Sequence, residues 1–312
     1  MAGQTFISAY ERGLRFGSLR IPLTRDQLML LMVALNEVFL GVDIFLAHNM
    51  DMTIKPNEWI PIIFGPVAGV LLLIAGLVAL RNRRLAVLFA FLVLGMSIVV
   101  GLLGAYFHVV RAVPPVGIPN PGLGVAFFVF APPVIGPLTF SLIGVLGVIA
   151  AVDEDPPDSG RMVVPGLFSW RVPFNKTRQY IIWVGLGILA TTLSSVLDHG
   201  RIEFRNIFVW IPTVVGVWAT VSTIALGLSE NPSASDRLVH FLTLIALIIV
   251  AVMGLVFHVQ ADLTSQSVIV PERFMRGAPF LAPLLFADMA ALGLIAMLPP
   301  AAPARQQGQG EA

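Results

Sequence analysis

Long apolar runs alternate with short polar segments along the whole chain. A helix needs about 20 apolar residues to cross the hydrocarbon core of a bilayer. Runs of this length fall near 27–48, 59–80, 85–110, 132–152, 179–199, 208–229, 237–259 and 279–298. None of them shows the short alternating pattern of a membrane β-strand. The pattern therefore predicts an all-α integral membrane protein with eight transmembrane helices.

The two halves of the chain resemble each other. Residues of the first half recur 151 positions later, and from Phe91 onward the offset becomes 150. The matched residues include His48 with His199, Trp59 with Trp210, Gly104 with Gly254 and His108 with His258. Because each half holds an even number of predicted spans, the sequence predicts two parallel four-helix repeats, related by a pseudo-two-fold axis along the membrane normal.

Polar segments divide the chain into five parts. These are an interfacial N-terminus (1–26), the first repeat (27–152), a linker (153–178), the second repeat (179–298) and a disordered tail (299–312). The linker begins with acidic residues, Pro and Gly, a composition that predicts flexibility.

The distribution of basic residues predicts the orientation. Of the 19 Lys and Arg residues, six fall on one side of the predicted spans: Lys55, Arg111, Arg201, Arg205, Arg273 and Arg276. The positive-inside rule then places both termini, with the other 13 basic residues, in the cytoplasm, and the chain in a bacterial-type inner membrane.

Composition excludes several classes of protein. A chain with 57% hydrophobic and 12% charged residues has too little polar surface for an ordinary soluble domain. The absence of cysteine excludes disulfides and thiolate-bound metal or iron–sulfur clusters. Nothing in the sequence indicates nucleic-acid binding.

Four histidines are the first candidates for chemistry. His48, His108, His199 and His258 fall at the outer ends of odd-numbered spans, at one depth. Neutral imidazole binds haem iron and divalent metals. Gly104 and Gly254 each precede a histidine by four residues, which leaves space on the same helix face for a macrocycle. The pattern favours haem b held by histidine pairs.

Two alternatives stay open. A non-haem transition metal would use the same histidines with nearby carboxylates, and those candidates are Asp43, Asp198 and Asp262. These acids do not recur between the halves, which favours one asymmetric site. In the other alternative no cofactor is bound, and each histidine forms hydrogen bonds at a helix end.

Two acidic residues fall near the middle of predicted spans. Glu37 lies about ten residues into the first span and Asp288 about ten residues into the eighth. Charged groups at this depth are costly and usually face a bundle interior. We predict that Glu37 and Asp288 form a proton pathway.

These features lead to one expected function and two alternatives. We expect a membrane electron-transfer subunit that passes electrons between a periplasmic redox partner and quinone. The alternatives are a proton-coupled transporter and a non-catalytic anchor or assembly subunit among other membrane subunits. Whether the chain is itself an enzyme stays open.

Overall fold

The computed structural model describes residues 14–16, 19–21, 23–49, 53–113, 129–164, 166–263 and 269–300. Its helices are α1 (Arg25–Asn49), α2 (Trp59–Ala79), α3 (Arg83–Ala112), α4 (Ile135–Ala151), α5 (Lys176–Gly200), α6 (Trp210–Leu228), α7 (Ala234–Asp262), α8 (Pro271–Arg276) and α9 (Leu284–Ala296). Short 3-10 turns, Pro56–Glu58 and Ile207–Val209, precede α2 and α6.

Helix length separates these elements into two groups. In the described part of the chain, six helices are long and apolar enough to cross a membrane: α1, α2, α3, α5, α6 and α7. The prediction of a helical, multi-pass membrane protein is therefore confirmed. The other two predicted spans contain α4 and α9, which have only 17 and 13 residues.

Prolines explain why α4 and α9 are short. The sequence predicted spans from 132 and 279, but α4 begins at Ile135 and α9 at Leu284. Pro132, Pro133, Pro279 and Pro283 precede these starts. Proline lacks the N–H that a helix needs and disfavours helical backbone in the residue before it. Both predicted span boundaries were therefore too early.

Helix contacts place α1, α4, α5 and α9 where the two halves meet. In the first half, α1 and α3 each pack against both α2 and α4. In the second half, α5 and α7 each pack against both α6 and α9. The halves meet where α4 contacts α5 and where α9 contacts α1. The buried core follows this arrangement, with Val33, Phe140, Ile188 and Ala290 fully enclosed.

The segment between the halves is ordered, contrary to the predicted flexible linker. β3 (Asp153–Glu154), β4 (Arg161–Val164) and β5 (Phe168–Arg171) form an antiparallel sheet. It packs against the start of α3 because Val87, Val152, Met162 and Val164 are buried together. Glu154 also accepts hydrogen bonds from the backbone N–H groups of Gly160 and Lys176, at 2.8 and 3.1 Å. Burial of these side chains therefore overrides the acidic, Pro- and Gly-rich composition.

A smaller antiparallel pair precedes α1. It consists of β1 (Leu14–Phe16) and β2 (Leu19–Ile21). Most of the predicted interfacial N-terminus, and positions 301–312 of the predicted tail, lie outside the described residues.

A network of charged and polar side chains joins α1 to α5, with Arg25 and Lys176 buried and Asp26 26% exposed. We call its residues the clasp: Arg25, Asp26, Lys176, Thr177 and Tyr180. Lys176 Nζ lies 2.6 Å from Asp26 Oδ2, and Tyr180 donates its hydroxyl proton to Asp26 Oδ1 at 2.9 Å. Arg25 Nη1 donates to Thr177 Oγ1 at 2.6 Å. Arg25 and Lys176 match in the repeat, as do Asp26 and Thr177. Each cation therefore binds the residue that follows the matching cation of the other half, Arg25 to Thr177 and Lys176 to Asp26.

The clasp also binds the carboxyl ends of the two short helices. Lys176 Nζ donates to the carbonyl of Val152, just beyond α4, at 2.6 Å. Arg25 Nη1 donates to the carbonyl of Leu298, just beyond α9, at 3.4 Å. Cations are favoured there because the last carbonyls of a helix are unpaired and carry partial negative charge. We call this end of the bundle the clasp end, and the end that carries His48, His108, His199 and His258 the histidine end.

We predict that the clasp dominates the stability of the contact between the halves. Removing one member of a fully buried ion pair typically costs about 3–5 kcal/mol, whereas an apolar replacement of both members costs less. Asp26 is partly exposed and keeps Arg25 at 3.5 Å, so Lys176→Met should lower the free energy of unfolding by less, about 2–3 kcal/mol. Asp26→Leu with Lys176→Met should recover part of the loss. SDS-induced unfolding in mixed micelles measures both.

The half-exposed ion pair of Arg83 and Asp153, 2.7 Å long, provides the matched control. Asp153→Asn should cost no more than about 1 kcal/mol. Equal losses for Lys176→Met and Asp153→Asn would contradict a dominant clasp.

Candidate functional site

The structure brings the predicted histidines together in pairs, one pair in each half. The rings of His48, near the end of α1, and His108, near the end of α3, lie 6.0 Å apart between centroids, edge to face. In the second half, His199 and His258 lie within electrostatic range of each other. In the described part of the chain, no interaction links the first pair to the second. The geometry therefore indicates two separate histidine pairs.

Backbone carbonyls fix the tautomer of neutral His48 and His108. His48 Nδ1 lies 2.9 Å from the carbonyl oxygen of Ile44, one turn earlier in α1. His108 Nδ1 lies 2.8 Å from the carbonyl oxygen of Pro133. A carbonyl can only accept, so Nδ1 carries the proton in both rings and Nε2 keeps its lone pair. Metal-ligating histidines commonly have this arrangement.

The second pair repeats part of this pattern. His258 Nδ1 lies 3.0 Å from the carbonyl oxygen of Pro279, just as His108 contacts Pro133. His199 differs, because its Nδ1 lies 3.4 Å from Ser195 Oγ. Ser195 can donate or accept, so the tautomer of His199 is not fixed by this contact.

The predicted carboxylate ligands have different surroundings. Asp43 and Asp198 interact electrostatically with each other, and Asp198 also interacts with His258. Asp262 instead accepts a hydrogen bond from the backbone N–H of Ala278 at 2.9 Å and so holds the loop before α9. Among the described residues, no three His, Asp or Glu side chains converge as a metal site. The first pair therefore offers two imidazoles in ring contact, and the second pair has Asp198 near one of its imidazoles.

The predicted macrocycle clefts are filled by proline. A Cβ placed on Gly104 would lie 2.7 Å from Pro137 Cβ, and one placed on Gly254 would lie 2.7 Å from Pro283 Cβ. Gly104 and Gly254 therefore allow α4 and the start of α9 to approach their neighbours closely. Sequence spacing located the small residues correctly but could not show which side chain occupies the space beside them.

The two intramembrane acids lie in different surroundings. Glu37 is fully buried, and its Oε1 lies 2.5 Å from Ser97 Oγ of α3. Asp288 faces Asn36 across the contact of α9 with α1. Glu37 Oε2 and Asp288 Oδ2 are buried without a hydrogen-bond partner among the described residues. The structure records no contact between the two acids, and a joint pathway stays a prediction.

The Ser97 hydroxyl lies between two acceptors. Ser97 Oγ lies 2.9 Å from the carbonyl oxygen of Phe140 and 2.5 Å from Glu37 Oε1, and it can donate to either. A hydroxyl has one proton, and a carbonyl can only accept. If Glu37 is protonated, it can donate to Ser97 Oγ while Ser97 donates to Phe140. This geometry therefore accommodates a protonated Glu37 as well as an ionised one.

Sequence reasoning missed the fifth histidine. His240 of α7 is buried near the clasp end, and its Nδ1 lies 3.3 Å from Thr223 Oγ1 of α6. It has no match in the first half, where Ala90 occupies its position. The available signal was a group of polar residues on two otherwise apolar helices.

Comparison with known protein families, with curated proteins and with solved structures gives no match for this chain.

We predict that Gly104 serves helix packing. Gly104→Ala should cost about 1–3 kcal/mol of unfolding free energy, because the methyl group would overpack the contact with Pro137. Gly95→Ala in the same helix should be neutral or stabilise by up to about 1 kcal/mol, since its Cβ would meet no neighbour. Unfolding of cofactor-free protein measures both variants. Equal stability of the two variants would contradict the packing role.

Proposed function

We propose that this chain is a membrane electron-transfer subunit in which the His48 and His108 pair binds a redox metal. The site passes electrons between a periplasmic redox partner and quinone. The spacing of the two rings is the observation that carries the proposal. Two rings this close could both hold one metal ion, since histidine binds metals at metal–nitrogen distances of about 2.0–2.1 Å. The observed separation is 6.0 Å.

The hydrogen bonds of the rings support the same assignment. Pro133 and Ile44 hold both Nδ1 protons, so both Nε2 lone pairs remain for a metal. Pro279 orients His258 in the same way, which makes the second half a related but distinct site. Neutral imidazole suits iron and copper, the two metals that most often carry electrons in proteins.

Haem b and a non-haem ion make different demands on this site. Haem b, which the sequence favours, supplies a delocalised one-electron couple when bound and needs room for a flat ring between two helices. Pro137 and Pro283 occupy the clefts first assigned to that ring. A bare ion needs no such room, and it is the alternative that the packing favours.

The proposal includes eight membrane-associated helices in two parallel repeats. The reciprocal clasp supports parallel repeats, because matching residues at the starts of α1 and α5 meet at one end of the bundle. The matching contacts of α4 with α5 and of α9 with α1 support a pseudo-two-fold relation. By the positive-inside rule, the clasp end faces the cytoplasm of a bacterial-type inner membrane and the histidine end faces outward.

Absorption spectra with elemental analysis test the metal site. We expect one transition-metal ion per occupied histidine pair, with a Soret band and an α band if it is haem iron. His48→Ala and His108→Ala should each lose the metal of the first pair, because one imidazole alone binds weakly. Tyr106→Ala, a lipid-exposed change on the same helix, is the control that keeps it.

The source of the metal must also be controlled. Protein expressed with excess haem, and separately with added iron and copper, should retain metal through purification. Wild-type protein that holds neither haem nor stoichiometric metal under all three conditions would overturn the proposal.

A second function, proton-coupled transport, is favoured by the buried Glu37. A carboxyl that is protonated in one geometry and can lose its proton in another is the element a proton carrier requires. Ser97 provides the partner for both states, because its hydroxyl can turn from Phe140 to an ionised Glu37. Glu37 Oε2 has no hydrogen-bond partner in the part of the chain that the structure describes, which leaves a second contact open.

Proton flux into proteoliposomes separates this function from the first. Glu37→Gln keeps a neutral side chain of the same shape, so the protein should fold normally while flux falls at least about tenfold. Ser97→Ala should lower flux as well. Thr192→Val is the matched control, since the buried Thr192 hydroxyl donates to the carbonyl of Ile188 in its own helix. Unchanged flux in Glu37→Gln would exclude Glu37 as a carrier.

A further inference from the structure

Five polar side chains form a cluster between α6 and α7. We call them the polar cluster: Trp218, Thr220, Thr223, His240 and Thr243. Thr223 and His240 are 0% and 1% exposed, and Thr220 and Thr243 are also buried. Burying polar groups at membrane depth is costly, and buried polar residues there usually serve a function.

The cluster exists in one half only. The matching positions of the first half are Val67, Gly69, Leu72, Ala90 and Val93. All five positions are apolar or glycine, although the helices around them pack in the same order, α2 with α3 and α6 with α7. Apolar residues therefore satisfy the packing of this contact. The polar residues of the second half need another explanation.

Hydrogen bonds account for every hydroxyl of the cluster and leave one ring nitrogen over. Thr220 donates to the carbonyl of Gly216 at 2.8 Å, and Thr243 donates to the carbonyl of Val239 at 2.8 Å. Thr223 Oγ1 lies 3.3 Å from His240 Nδ1, and a hydroxyl can donate or accept. His240 Nε2 is buried without a partner among the described residues, and it carries the ring proton whenever Thr223 donates to Nδ1.

The cluster lies beside the lipid. Trp218 is 57% exposed on the outer face of α6, and its Nε1 donates to Thr243 Oγ1 at 3.1 Å. His240 lies six residues into α7, about 9 Å along the axis from Ala234. A ligand that approaches through the bilayer would reach this depth between the two helices.

We propose that the polar cluster binds the carbonyl group of a membrane-soluble ligand, with His240 Nε2 donating the hydrogen bond, and that this ligand is a quinone. Its identity as quinone rests on the electron-transfer function proposed above, whereas the hydrogen bond does not. An apolar ring with two carbonyl groups matches a site that offers one buried donor and an indole face. A glycerolipid ester presents the same carbonyl chemistry.

Binding of decylubiquinone to the detergent-purified full chain tests the site. His240→Leu should weaken binding at least about tenfold, the usual effect of losing a buried donor. His240→Gln retains a donor and should restore much of the affinity. Thr192→Val, a buried threonine outside the cluster, should bind like wild type.

A second arm separates this site from the metal site and from lipid. His108→Ala should lose metal yet bind decylubiquinone normally. Binding at His240 can therefore be judged even if the proposed electron-transfer function proves wrong. Native mass spectrometry detects a co-purified glycerolipid, and its loss in His240→Leu without quinone binding would support the carbonyl site with lipid as the ligand. Equal binding of decylubiquinone, and equal lipid content, in wild type and His240→Leu would overturn the proposal.

Discussion

The ion pair between Asp26 and the buried Lys176 is the interaction on which the arrangement of the two halves depends. It joins the first turns of α1 and α5, and its cation also binds the end of α4 at Val152. The clasp thus fixes the level of α1 against α5. His48 and His199 both lie 23 residues after the clasp cations of their helices, roughly 35 Å along the axis. One contact at the clasp end therefore sets the common depth of histidines at the other end.

The halves share a scaffold and differ in their buried polar groups. Glu37 and Ser97 in the first half correspond to the apolar Ile188 and Leu247 in the second. His240 corresponds in turn to Ala90. The histidine pairs and the clasp cations Arg25 and Lys176 occur in both halves. The chemistry proposed for each half is therefore a local change on common packing, and each site can be altered without its counterpart.

Much of the fold follows from the sequence, because apolar runs of membrane length must become helices in lipid. Counting along those runs also placed His48 and His108 at the same end of the bundle. The clasp could not be found in this way, because Asp26 and Lys176 are 150 positions apart and single charges at helix starts resemble interface residues. The contacts of Gly104 with Pro137 and of Gly254 with Pro283 could not be predicted for a related reason. The sequence shows that a glycine is small but not which side chain packs against it.

The shortness of α4 and α9 shapes the molecule in the membrane. Their 17 and 13 residues span only about 25 and 20 Å, against a hydrocarbon core of about 30 Å. Both helices reach the clasp at one end, so the deficit falls at the histidine end. The chain just before each short helix therefore lies within the depth of the longer helices, where backbone carbonyls lack water as a partner. Pro133 and Pro279 belong to these two segments, and His108 and His258 satisfy their carbonyls.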